Sequence, residues 1–187
     1  MRLHNKVGCI VAMGGIATVF VSGCGSIVNP QAKEALFQTL GNTSFTVFPA
    51  FVRSDGASYD ADAAERIGEF LTADGLGDVT LSNEDVPITG SWGMNQAKML
   101  RESAEDFAGY VRDHPIETEY ALLAEYLILG TGIPGGIHCY VLDAQGSVAH
   151  VVLLNSHWSA FADADPQTVE DCTGVLIEVL RDDLKPN

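Results

Sequence analysis

The spacing of apolar and polar positions divides the chain into segments, most of which carry their own start and stop signals. Gln31 to Leu40 has helical composition and stops at Gly41. Thr43 to Val52 is rich in Phe, Val and Thr, with apolar residues on both faces at Phe45, Val47, Phe48 and Phe51. It lies between Asn42 and Ser54-Asp55-Gly56, which predicts one buried strand. Asp60 then stands as a helix N-cap. After it, Ala63, Ala64, Ile67, Phe70 and Leu71 recur at helical spacing opposite Asp62, Glu65, Arg66 and Glu69, until Gly75 gives the stop. Val79 to Leu81 predicts a short strand.

A loop from Asn83 to Gly93, with Pro87 and Trp92, leads to a helix from about Met94 whose apolar stripe is Ala97, Leu100, Ala104, Phe107, Ala108 and Val111. Lys98 with Glu102 and Arg101 with Glu105 are four apart on its charged face, and His114-Pro115 ends it. Tyr120 to Leu129, Ile137 to Leu142 and Val148 to Leu154 are nearly continuous apolar runs. The last two are joined by the turn Asp143-Ala144-Gln145-Gly146 as a hairpin. Asp165 as N-cap and Pro166 in the first turn predict a final helix with Val169, Cys172, Leu176, Val179, Leu180 and Leu184 on one side. The order is helix, strand, helix, strand, helix, three strands, helix. It predicts an α/β fold, with an α+β arrangement as the alternative: a mixed sheet of about five strands, the last three antiparallel or mixed, and helices packed on it, the C-terminal helix among them. A single domain from residue 31 to residue 187 is expected.

Charge and the N-terminus set the compartment. With 25 acidic and 10 basic residues, the formal charge is −15, which argues against nucleic-acid binding. Arg2 and Lys6 precede an uncharged stretch from Val7 to Ser22, the layout of an export signal and too short to span a bilayer comfortably. The stretch closes with Val21-Ser22-Gly23-Cys24, which resembles the lipobox of bacterial lipoproteins. The resemblance implies a signal peptide over residues 1–23, a diacylglycerol and an amine-linked acyl chain (palmitate-type lipidation) on Cys24, and a lipidated tether over residues 24–30. The signal carries away both of its basic residues, so the mature chain has 8 basic against 25 acidic side chains, a formal −17. Its hold on the membrane must come from the acyl chains alone, and three of them suffice. Gly25 and Ser26 follow the cysteine without an Asp. In lipoproteins like those of enterobacteria, this implies an outer-membrane location facing the periplasm.

The element order is also similar to that of compact α/β modules of periplasmic envelope proteins, such as the Tol-system N-terminal domain and the curli-secretion lipoprotein. The envelope protein expected as partner rests on the anchor and on the missing catalytic constellation, whereas the likeness is one of topology. It transfers no functional residue, because no diagnostic motif of either family is present.

Candidate chemistry is sparse. Cys139 and Cys172 are expected to face one core, where they form a disulfide if their Cα atoms lie within roughly 4.4–6.8 Å and otherwise stay as two buried thiols. If Leu142 pairs with Ser147 in a tight turn, Cys139 falls opposite His150 with Cβ atoms about 5 Å apart, the geometry of a Cys-His dyad, although its surroundings are apolar. The same count puts His138 and His150 on opposite faces, against a shared metal shell, and neither metal nor cofactor is expected. Asn155, Ser156, His157 and Trp158 follow the last strand as a candidate ligand or partner corner, or as a local turn. Gly130, Gly132 and Gly135 fit GxGxxG, but Pro134 and a strand follow where a phosphate site needs a helix. Glu125 lies inside an apolar strand; it is either a buried carboxylate or, as expected here, at an edge facing water. Together these features predict a lipid-anchored, periplasm-facing binding or assembly component of an envelope complex, its small-molecule ligands unidentified. The alternative is a small hydrolase or thiol-dependent enzyme using the Asn155 to Trp158 corner or the Cys139 and His150 pair.

Overall fold

The computed structural model describes residues 26–90 and 95–185, so the lipobox with Cys24, and Trp92, lie outside the described residues. Among the described residues five helices, α1 (Pro30–Thr39), α2 (Ala61–Ala73), α3 (Gln96–Asp113), α4 (Ser159–Ala164) and α5 (Val169–Asp183), surround one sheet. Its strands are β1 (Ser44–Val47), β2 (Ala50–Arg53), β3 (Ala57–Asp60), β4 (Asp78–Leu81), β5 (Tyr120–Ile128), β6 (Pro134–Asp143) and β7 (Val148–Asn155).

The seven strands occupy five rows because the expected strand from Thr43 to Val52 is broken in two. Val47 pairs with Leu122 and Phe51 with Glu125, so four steps on one strand match three on β5. The extra residue falls at Phe48-Pro49, where the proline has no N–H to give the ladder. Beyond the kink the outer neighbour changes. β1 takes β4 in parallel and β2 takes β3 antiparallel, while both run parallel to β5. On its other side β5 pairs antiparallel with β6, and β6 with β7. The sheet is therefore mixed, as the element order predicts.

Apolar side chains cover both faces. Phe48, Phe51, Ala121, Leu123, Tyr140 and Leu142 meet α3 through Leu100, Ala104, Phe107 and Val111. Phe45, Leu122, Tyr126, Cys139 and Val141 belong to the opposite core with residues of α1, α2 and α5. At roughly 1.5–3 kcal/mol per fully buried large aliphatic side chain, these two layers dominate the stability. Helix starts are fixed by side-chain oxygens. Asn29 Oδ1 accepts from Gln31 N at 2.9 Å, with Pro30 at the first helical position, and Asp60 Oδ1 accepts from Ala63 N at 2.9 Å.

Two local expectations are corrected. Asp165 does not start the last helix: with φ 43° it closes α4, which the apolar pattern had not revealed, and Pro166 acts as a stop. The helix α5 begins after Thr168, whose hydroxyl accepts from Asp171 N while the Asp171 carboxylate accepts from Thr168 N. The β6–β7 hairpin is present with a different register. Asp143, not Leu142, bonds Ser147 across the turn, and a bulge at Ala149 adds a second offset, so Cys139 faces Val152 and His150 faces Val141. An offset of two preserves the faces, so His138 and His150 still point to opposite sides.

Gly146 closes that turn at φ 78°, and a Cβ there would lie 2.8 Å from the Ala108 carbonyl oxygen. Gly146→Ala is expected to cost about 1 kcal/mol or more, because both the left-handed backbone and the α3 contact oppose it. Gly56→Ala, in open space, provides the control. Urea denaturation of both variants checks this, with a midpoint shift expected for Gly146→Ala alone.

Candidate functional site

The residues singled out by the sequence are not brought together. Cys139 is fully buried on β6, and burial pushes its thiol up to about 12, so it is no nucleophile; the proposed Cys139–His150 dyad is not formed. Cys172 is buried on α5, and burial likewise raises it to about 12. Both thiols are free and belong to the same core. His150 packs edge-on against Phe37, with its Nε2 3.3 Å from Asp183.

The corner after β7 is organised as a turn. Asn155 Oδ1 accepts from His157 N at 2.9 Å, its carbonyl accepts from Trp158 N at 2.9 Å, and its side-chain amide donates to Gln96 on α3 at 2.5 Å. Trp158 packs on the core before α4, while Ser156 and His157 are exposed. The glycine-rich segment is the β5–β6 turn: Leu129 N donates to Ile133 O, Gly132 has φ 82°, and a strand follows, so no helix end is present to hold phosphate. Among the described residues no group of three or more His, Cys, Asp or Glu is placed to hold a metal ion.

A dense polar constellation that local sequence pattern does not reveal lies at the centre of the sheet. Glu125, expected at a wet edge, sits on the central strand β5 with no exposed surface. The registers set Phe51, Glu125 and His138 side by side on the α3 face, and Arg53 reaches back from β2. Arg53 donates to Glu125 Oε1 through Nε at 2.8 Å and lies 2.7 Å from it through Nη2. The Ser103 hydroxyl of α3 donates to the same oxygen at 3.3 Å. Oε2 accepts from His138 Nδ1 at 2.9 Å and from the Tyr140 hydroxyl at 2.8 Å. Arg53 also donates to the Gly90 carbonyl at 2.5 Å. Burial alone would raise the Glu125 carboxyl; the hydrogen bond and charge of His138, followed by those of Arg53, outweigh it and hold the carboxyl below 4.5. An ionised carboxylate accepts only, so His138 carries its proton on Nδ1 toward Glu125. Burial, then the negative Glu125, push the Tyr140 hydroxyl well above its ordinary value, so it stays a donor.

Ser, His and Glu are the residue types of a hydrolytic triad, but the order is wrong. Ser103 Oγ touches Glu125 and Arg53 rather than the imidazole, and all three triad-type residues are fully buried. The constellation is a lock joining β2, β5, β6, α3 and the Gly90 segment, closed to substrate. His138 Nε2 is buried without a partner among the described residues.

No protein-family model matches the chain, and no curated protein matches it. Among solved structures it is similar to the PelC dodecamer from Paraburkholderia phytofirmans, with 14% identity and a TM-score of 0.42 over 79% of this chain and 91% of that one. It is also similar to the LpoB C-terminal domain from Salmonella enterica, with 14% identity and a TM-score of 0.38 over 66% and 94%. The Escherichia coli LpoB C-terminal domain gives 15% identity and 0.37 over 65% and 92%. At this level of overlap the likenesses assign the chain to no family, and its role is read from its own residues. For the buried lock the expectation is direct. Glu125→Gln strands the Arg53 guanidinium and should cost about 3–5 kcal/mol, whereas Arg53→Met with Glu125→Leu should recover much of that loss in a double-mutant cycle. Because the native carboxyl is depressed, its contribution is complete above pH 4.5 and is lost as pH falls through the native value. Denaturation at a series of acidic pH values should therefore show a shallower loss in Glu125→Gln. A second expectation concerns the thiols: with Cys9 and Cys24 both replaced by Ser, Ellman's reagent should find no reactive thiol in the native protein. Two should appear on denaturation without reductant.

Proposed function

We propose that the chain is a lipid-anchored, outer-membrane protein facing the periplasm, and that it acts by binding, as an accessory or assembly component of an envelope complex. The lipobox at Val21 to Cys24 supports the anchor. The way the chain enters the domain supports the binding role. Asn29 caps α1 and its backbone N–H donates to Val148 O at 2.8 Å, which ties the start of the domain to the β6–β7 turn end of the sheet. Four residues lie between Cys24 and Asn29, and the five Cα steps, fully extended, reach at most about 18 Å. The domain is thus held close to the bilayer by that end.

The opposite end carries exposed apolar side chains. Leu129 and Ile133, on the β5–β6 turn, are 45% and 47% exposed. Between Leu142 and Pro134, strand β6 extends about 26 Å, so this tip stands off from the anchored end. No helix described is long and apolar enough to cross a membrane, and a −17 surface gains nothing from anionic headgroups. The acyl chains hold, and the protein surface remains free for a partner.

Two measurements test this. A clickable fatty acid fed to cells of the natural host should label the full chain and fail to label Cys24→Ser. Crosslinking in intact cells should capture envelope proteins reproducibly, and the capture should fall at least tenfold with Cys24→Ser. Labelling of Cys24→Ser at wild-type level would refute the anchor. Equal capture with and without the anchor would refute the assembly role.

A further inference from the structure

The outer strand β4 combines an open backbone edge, an apolar trough and an acidic rim. Asp78 N donates to Thr43 O and Ser82 N to Val47 O, each at 2.9 Å, and Thr46 pairs with Thr80 in the parallel ladder. Asp78, Thr80 and Ser82 therefore turn their backbone groups toward β1. The N–H and C=O of Val79 and Leu81 point the other way, to the edge, where no described strand pairs with them. The side chains of the same two residues lie beside α2: a Cβ on Gly68 would meet Val79 at 3.0 Å and Leu81 at 3.1 Å. With Gly68, Thr72 and Ala73 they line a groove of about 420 Å³, and Leu81 is 45% exposed within it. Glu65 and Glu69, one helical turn apart on α2, complete the lining. Both are exposed, and neither forms an ion pair among the described residues.

We infer that this edge takes an extended, lysine- or arginine-rich segment of a partner protein, added as a further strand beside β4; the inference rests on the binding role proposed above and names its site. The outward N–H and C=O groups of Val79 and Leu81 would pair with the incoming backbone, as in strand addition generally. Lysine and arginine suit the trough because their methylene stems lie on Val79 and Leu81 while the charged ends reach Glu65 and Glu69. Charge also decides against a second copy of this chain as the occupant. Pairing two β4 edges would bring Glu65, Glu69 and Asp78 of one copy against those of the other, and like charges facing across strands are destabilising.

The test uses the full lipoprotein in detergent micelles, with amide hydrogen exchange followed residue by residue. The probes are an eight-residue peptide alternating valine with lysine and a matching one alternating valine with glutamate. Saturating lysine peptide should slow exchange at the Val79 and Leu81 amides at least tenfold, and the glutamate peptide should not. Glu65→Lys with Glu69→Lys, at two exposed positions, should weaken lysine-peptide binding at least tenfold. Unchanged exchange at Val79 and Leu81, equal slowing by both peptides, or slowing that follows protein concentration without peptide would each overturn the inference. A photo-crosslinking residue placed in cells at Leu81 or at Leu129 separates it from the broader reading. Protein crosslinks from Leu129 alone would overturn the β4 site and leave the assembly role standing, whereas none from either position would overturn both.

Discussion

The carboxylate of Glu125 is the constraint around which the sheet is organised. A bare carboxylate in that position would be prohibitively expensive, and it persists because donors from Arg53, Ser103, His138 and Tyr140 converge on its two oxygens. Satisfying them requires β2 and β6 to hold their registers against β5, since a slip of one residue would turn Arg53 or His138 to the other face. Apolar packing favours many arrangements of similar burial. The polar lock accepts far fewer, and it fixes where α3 and the Gly90 segment sit.

The elements were largely legible because their periodicities are strong. The stripes of α2 and α3, the three long apolar strands and the start of α2 at Asp60 all follow from local pattern and capping chemistry. What local pattern does not contain is partnership between strands. Arg53, Glu125 and His138 each look like an isolated polar residue in an apolar run, and their association is set by registers spanning 72 residues for Arg53 and Glu125. The sequence signal was their parity: each sits on the same side of its strand as residues of the α3 core. That signal acquires meaning only once β5 is known to be central rather than an edge, so the charge of Glu125 was read as a mark of water.

The misreadings elsewhere have one origin. Pro49, Ala149 and the Asp165-Pro166 pair mark irregularities that a count of residues passes over. At Pro49 one strand becomes two, and the outer row of the sheet changes direction with it. At Ala149 a bulge shifts the hairpin by one residue beyond the turn, which separates Cys139 from His150. Each irregularity has a local cause, but its consequence lies two strands away. The candidate thiol chemistry was lost to such a shift, and burial of Cys139 under α5 closes it from the other side.

The sheet treats its edges unequally, and this asymmetry supports a binding role. Helix α1 lies along β7, pinned by the bond from Asn29 N to Val148 O. On the other side β3 is four residues long and turns Ala57 and Ser58 to solvent. Short or covered edges are the usual protection against indiscriminate pairing. β4 is also short, offering the backbone of two residues, too little for stable association through backbone bonds alone. Its neighbours on α2 supply what the backbone lacks, an apolar floor and two carboxylates, and an edge so furnished discriminates by charge. In a strongly acidic chain, with the β7 edge lined by α1 and the acid-rimmed β4 edge left open, charge favours the proposed basic partner and opposes pairing with a second copy.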